Sequence, residues 1–187
     1  MGWYGEHVLP RIVQAACGMK TVQPLRRRVC EGLAGDVVEI GFGPGHNVAF
    51  YPAAVTSVAA VEPSDVAWKL AGKRVAQSSV PVRRSGLDGQ SLPFADASFD
   101  AALSTWTLCT IPDVAAALSE LRRVLKPGGL AVVTVPFVFR YHADPVDYQR
   151  FSPDTSHGLR RCGRGRRGGC CTIVRHLPPR MWSLGPG

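Results

Sequence analysis

Apolar and polar positions along this chain switch repeatedly between a period of two and a period near 3.6, which predicts strands separated by helices. Residues 5–34 carry a helical pattern in two pieces, interrupted near Gly18 to Pro24, with Leu25, Val29 and Leu33 four apart on one face. Residues 37–40 form a short β-branched run that enters Gly41-Phe42-Gly43-Pro44-Gly45, after which a short helix reaches about Tyr51. A second apolar run at 57–61 ends at Glu62, and Asp65–Ala76 has helical spacing. Residues 80–83 are a weak third strand, and 99–104 a fourth that leads into Thr105-Trp106-Thr107. Over 113–125, Val114, Leu118, Leu121 and Leu125 line one face of the clearest helix, which Lys126-Pro127-Gly128-Gly129 ends. Residues 130–135 are continuously apolar and β-branched, as a parallel strand covered on both faces should be. Strands alternating with helices in this way predict an α/β fold, an open, doubly wound and mostly parallel sheet.

Such sheets bind ligands outside the carboxyl ends of their strands, at the switch point beside the first strand. The glycine loop, Glu62, Asp88 and Thr105-Trp106 all follow predicted strands or their loops, so they converge on that edge. A dinucleotide fingerprint needs G-x-G-x-x-G, but His46 stands at its third glycine position and the loop reads G-x-G-x-G. Positive φ at glycine lets the chain turn sharply, and a turn into a helix start directs free N–H groups at a ligand. Glu62, about twenty residues past the first glycine, suits the two hydroxyls of a ribose. Asp88 has two readings: an acceptor for an adenine amino group, or an Asx-turn residue in a polar loop. Glu39 is a carboxylate inside an apolar strand, which is costly unless paired; it is expected to face a ligand's ammonium or ordered water. Cys109 reads as a small buried apolar residue rather than a nucleophile.

Composition changes this picture little. The 187 residues suit one ordinary domain, with 45% apolar and 19% charged residues, which is globular rather than disordered. No apolar run approaches the roughly 18–20 residues of a membrane span, and residues 1–6 lack a signal-peptide pattern. The six cysteines show no paired C-x-x-C spacing, so reduced thiols and a cytoplasmic location are expected, and no metal site. The net charge of +8 sits in the tail: seven arginines and no acidic residue between 155 and 187 account for all but one unit. No DNA partner is therefore expected, and RNA or an acidic membrane surface only through that tail.

Four segments together carry a resemblance: 37–45, Val61-Glu62-Pro63-Ser64, the Leu92-Pro93-Phe94 stretch to Asp100, and Leu121 to Gly129. Over residues 30–137 the chain resembles the class I S-adenosylmethionine-dependent methyltransferases, within them the type 11 methyltransferase domain, a group that includes quinone-biosynthesis C-methyltransferases. The resemblance implies the Rossmann-like fold of that class and S-adenosyl-L-methionine as cofactor. It implies that Gly41, Gly43 and Gly45 pack under the methionine part and sugar, with Glu39 near the amino end. By the same resemblance Glu62 holds the ribose hydroxyls, Pro63 lies near the adenine, and Asp88 and Gly89 bind the adenine edge. Thr105 and Trp106 would border the methyl donor and the incoming nucleophile. His142, with Tyr148 and Arg150 behind it, is the candidate base or acceptor-binding group; an ordinary polar surface loop is the other reading of that stretch.

Three segments follow from this: a helical segment at 1–34 packed on the core, a cofactor-binding domain at 35–154, and an Arg/Gly-rich tail at 155–187. The family would continue past Pro153 with a helix and an antiparallel strand pair. Here 158–171 has neither periodicity, residues 172–175 suit one short strand, and Pro178-Pro179 blocks its extension. The C-terminal pair is thus expected to be incomplete and strand five to present a bare edge. Either the tail binds RNA or acidic lipid, or the reading frame is shifted or truncated there; the abrupt loss of acidic residues favours the second. The expected activity is methyl transfer to a small hydrophobic acceptor such as a quinone, lipid or thiol. The competing expectations are a non-catalytic remnant that still binds the cofactor, RNA binding through the tail, and a nicotinamide-dependent oxidoreductase. Oligomeric state is not legible.

Overall fold

The computed structural model describes residues 18–136 and the backbone of residues 170–176. Six strands form one sheet in the order β3-β2-β1-β4-β5-β6: β1 Gly35–Ile40, β2 Val55–Val61, β3 Val82–Gly86, β4 Phe99–Thr105, β5 Leu125–Pro136 and β6 Cys170–His176. The first five run parallel, and β6 lies antiparallel on β5. This is the doubly wound sheet the pattern predicts. One strand, rather than a pair, closes this side among the described residues, and the edge of β5 expected to be bare is paired from Leu130 to Pro136.

Strand alternation divides the core in two. Val38, Ile40, Ala102, Val133 and Val135 meet helix α3, Val114–Val124, through Val114, Ala117, Leu121 and Val124. On the other face Val37, Val58, Ala60, Leu103 and Val132 pack with residues of α1, Gln23–Cys30, and with Ala71 of α2, Asp65–Ala76. Ser64 and Asp113 cap α2 and α3 by accepting from Ala67 N and Ala116 N.

Three local expectations are corrected. Leu25 is 37% exposed, whereas Arg26, Val29 and Cys30 form the inward side of α1. Val29 and Leu33 of the predicted stripe are buried, and Leu25 alone is displaced, its inward place taken by the paired Arg26. The third strand starts two residues late, at Val82, since Pro81 cannot donate to a ladder. The segment Lys126–Gly129 is not a free turn: β5 already begins at Leu125, opposite Phe99, and a register shift absorbs the four residues before Leu130 pairs with Ala101.

Two distant stretches are fastened by one side chain. Arg123 on α3 donates to the carbonyls of Leu92 (3.0 Å) and Phe94 (2.7 Å), and to the carboxylates of Glu120 and Asp96. Glu120 in turn accepts from Leu92 N at 2.7 Å, and Arg123 holds its carboxyl down at about 2. The clamp seats Phe94 edge-on against Phe99, 4.9 Å between centroids. A depression of about 360 Å³ lined by Gly32, Gly35, Asp100 and Gly128 lies at the amino ends of the strands, away from the glycine loop. Its one carboxylate, Asp100, is held by Lys126 and by the Asp36 amide.

Arg123→Ala leaves two carbonyls and the Asp96 carboxylate without their donor and is expected to lower the urea midpoint of unfolding. Arg123→Lys should recover only part of that, because one ammonium cannot span the fork; full recovery would show that charge alone matters.

Candidate cofactor site

The loop after β1 carries Gly41, Gly43 and Gly45 at φ of 71°, 56° and 74°. Their missing side chains serve different ends. A Cβ on Gly41 would lie 2.1 Å from Thr107 Oγ1, so this glycine lets the end of β4 close on the loop. On Gly45 it would press on Ala71 and Phe42 at 3.2 Å. On Gly43 it would meet nothing nearer than the Gly41 carbonyl at 4.0 Å, so bare backbone borders open space there.

The amides of this loop do not point outward as expected. Those of Gly41 and Phe42 donate to the Val61 carbonyl, that of Gly45 to the Phe42 carbonyl at 3.2 Å, and Pro44 has none. The Gly43 amide donates to Glu62 Oε2 at 2.7 Å. A pyrophosphate is bound by free amides at such a turn, and here it would also lie against a carboxylate. The loop is no phosphate cradle, whereas an uncharged ribose or a cationic group fits it.

Glu62 ends β2 with both oxygens engaged, Oε1 accepting from Ser64 N at 2.8 Å. It is 6% exposed. Burial pushes its carboxyl above the usual range, against the pull of the two amides and of the Arg84 guanidinium. Each oxygen retains a lone pair, so the group can still accept two ligand hydroxyls.

Glu39 lies behind the loop, 1% exposed. The expectation that it meets a ligand is corrected: Tyr51 Oη donates to one oxygen and Asn47 Nδ2 to the other, the latter at 2.8 Å. Asn47 also donates to Thr105 Oγ1 at 3.0 Å and accepts from Arg26 Nη1 at 2.8 Å. The Arg26 guanidinium lies 4.6 Å from the centre of the Trp106 ring. One buried network thus joins α1, β1, the turn at Val48–Phe50 and the end of β4. Burial raises the Glu39 carboxyl to about 7, although Tyr51, Asn47 and Arg26 all favour its charged form.

Thr105 is buried in this network, and Trp106 beyond it takes a left-handed φ of 56° while its amide donates to the Thr134 carbonyl. Strain of that kind is held only where the surroundings fix it. Pro63 and Asp88 are exposed at the rim. Asp88 Oδ1 accepts from Gln90 N at 2.8 Å and Gln90 Nε2, the Asx-type turn that was one of its two readings. A Cβ at Gly89 would strike Ile40 at 2.7 Å, so its bareness serves close packing. Cys109 is buried as expected. His142, Tyr148 and Arg150 lie outside the described residues. Sequence reasoning missed Arg26, Asn47, Tyr51 and Arg84. A polar residue on an apolar strand required partners, but nothing in the spacing said which.

A doubly wound sheet with a glycine loop that offers no phosphate cradle, and a carboxylate closing strand two, defines the class I S-adenosylmethionine-dependent methyltransferase fold. The chain belongs to the type 11 family of that class: the family model described as "Methyltransferase domain" matches residues 38–133. A demethylmenaquinone methyltransferase of Mycobacterium sp. (strain KMS) is 38% identical over 114 residues, which is 58% of this chain and 46% of that protein. The chain spans less than half the length of the curated relatives it matches in Mycobacterium and in Desulfitobacterium hafniense. A SAM-dependent methyltransferase of Aquifex aeolicus shares the fold, with a TM-score of 0.67 over 88% of this chain and 96% of that one at 18% identity. A possible histamine N-methyltransferase of Thermotoga maritima is 30% identical, with a TM-score of 0.55 over 71% of this chain and 59% of that one. The nicotinamide-dependent alternative is set aside by the family and by the committed amides.

A carboxyl raised in the folded state stabilises fully below its unfolded pKa, and that contribution is lost as pH rises through its folded value. For Glu39 the window runs from 4.5 to about 7. Glu39→Gln removes this titration, so stability should fall less between about pH 5 and about pH 8 than in the wild type, by on the order of 2 kcal/mol. Urea unfolding at both pH values reads it, and equal slopes in the two proteins would count against a titrating Glu39.

Proposed function

We propose that this chain binds S-adenosyl-L-methionine beside Gly43 and Glu62 and transfers its methyl group, in the cytoplasm, to a small hydrophobic acceptor of the quinone class. The observation that carries the cofactor reading is the Glu62 carboxylate, seated on the Gly43 amide beside bare backbone. It favours a neutral sugar and repels a phosphate. Support for the acceptor comes from the demethylmenaquinone methyltransferases among the relatives and from the half-buried Trp106 ring next to the site.

When bound, the cofactor supplies a methyl group activated on a sulfonium. Glu62 would hold the ribose hydroxyls and so fix where the sulfur lies. Gly43 would let the methionine part and sugar approach the backbone, while Gly41 and Gly45 would hold the loop beneath them in shape by letting Thr107, and Ala71 with Phe42, close on it. Pro63, Asp88 and Gly89 would border the adenine, with Asp88 keeping one oxygen for its amino group. Thr105 and Trp106 would wall the methyl-transfer side, where alignment and exclusion of water supply much of the rate. His142 remains the candidate to take a proton from the acceptor where one must leave.

Calorimetry with S-adenosylhomocysteine should show saturable binding. Glu62→Ala should weaken it by at least tenfold, about 1.4 kcal/mol. No binding by the folded wild type would overturn the reading. Methyl transfer to a panel of quinones, thiols and fatty acids then tests the acceptor: turnover of quinones is expected, and turnover of thiols alone would replace that class.

A further inference from the structure

Arg84 belongs to none of the motifs, yet it reaches the segment that carries Glu62. It projects from β3 beside β2, and its guanidinium spreads over the turn between β2 and α2. Nε donates to the Glu62 carbonyl at 2.8 Å, Nη2 to the Pro63 carbonyl at 3.1 Å, and Nη1 pairs with Asp65 at 2.5 Å. The Arg84 side chain is 19% exposed while that of Asp65 is 91% exposed, so the backbone contacts lie on the sheltered side. The same two-residue stretch supplies the Glu62 side chain, whose oxygens accept from Gly43 and Ser64. Strand three is thereby joined through the turn to the glycine loop, and the planar fork fits this because its donors diverge in one plane.

We propose that Arg84 is a positioning residue for the cofactor's ribose, acting through Glu62 by fixing the turn and by holding a positive charge beside the carboxylate. The inference rests on the reading of the site as an S-adenosylmethionine site. Among the described residues, charged groups on the elements about Glu62 are Arg84 on β3, Asp65 beyond it at the start of α2, and Arg74 of α2, whose Nη1 donates to the Pro44 carbonyl beside Gly43 at 3.0 Å. An arginine beside the ribose accommodates a 2′-phosphate in dinucleotide folds. Here its donors are turned to backbone carbonyls and Asp65, so the charge serves the carboxylate.

The sign of the pH effect follows. Burial raises the Glu62 carboxyl and Arg84 opposes that rise. Binding that needs the carboxylate fails as pH falls through its pKa, so removal of Arg84 should move this failure to higher pH.

The test is calorimetry with S-adenosylhomocysteine between about pH 5 and about pH 8, on proteins whose folding is checked by urea unfolding. Arg84→Ala should weaken binding about tenfold and shift its acid limb upward; Arg84→Lys should keep the limb and recover part of the affinity. In the Glu62→Gln background, Arg84→Ala should cost less than about twofold more, because the two act as a unit. A further tenfold loss in that background, or an unmoved acid limb, would overturn the proposal while leaving the cofactor reading intact. Should Arg84→Ala not fold, Arg84→Lys in the two backgrounds decides by the same comparison. Absence of binding by the wild type would instead overturn the cofactor reading and this inference with it.

Discussion

A carboxylate buried within a parallel sheet is tolerable only when both oxygens are satisfied, and satisfying Glu39 organises the carboxyl edge of this molecule. Tyr51 and Asn47 reach it from beyond the glycine loop, so that loop is a strap anchored at Glu39 on one side and at Asn47 on the other. The strap is short, and three positive-φ glycines are what let it turn within that span. Asn47 has further hydrogen-bonding capacity, which extends the network to Thr105 at the end of β4 and to Arg26 of α1. The docking of the first helix and the placement of Trp106 thus trace to one charge in strand one.

Glu62 imposes the second constraint, on ligand chemistry rather than packing. Dinucleotide folds and this fold share a glycine loop and an acid at the end of strand two, so neither feature alone separates them. The separation comes from what the amides do. With Gly41, Phe42, Gly43 and Gly45 all donating within the protein, and one of them to a carboxylate, a doubly charged phosphate would find repulsion where a dinucleotide site offers donors. The missing third glycine in the sequence is a sign of the same difference.

Elements set by local chemistry were legible in the sequence. Asp65–Ala76 is helical over the range its pattern predicts, and the glycine loop and Glu62 lie at the edge where alternation of strands and helices puts them. Elements set by distant partners were not. Arg26 turns inward in place of Leu25 because Asn47, twenty-one residues away, accepts from it. Arg123 clamps Leu92 and Phe94 from about thirty residues further along, and Arg84 grips a turn some twenty residues before it. Each reads in sequence as a solvated cation on a helix or strand. The start of β5 was misplaced for a related reason, since register is set by the neighbouring strand, whereas the late start of β3 follows from Pro81 and was open to local reading.

Arg26, Arg84 and Arg123 show one device, which Arg74 repeats on the Pro44 carbonyl of the glycine loop. A planar cation with divergent donors fastens carbonyl or amide oxygens that secondary structure leaves unpaired in loops: Asn47 for Arg26, Glu62 and Pro63 for Arg84, Leu92 and Phe94 for Arg123. Loops at a binding edge would otherwise expose these oxygens to water and move with it. Because the grips of Arg26 and Arg84 fall on different loops of the carboxyl edge, that edge is stiff before any ligand arrives, and less ordering is left for binding to supply. The Arg123 clamp instead fastens the approach to β4, at the other end of the sheet. The residues held by Arg26 and Arg84 join the glycine loop, the turn after β2 and the end of β4 into one unit.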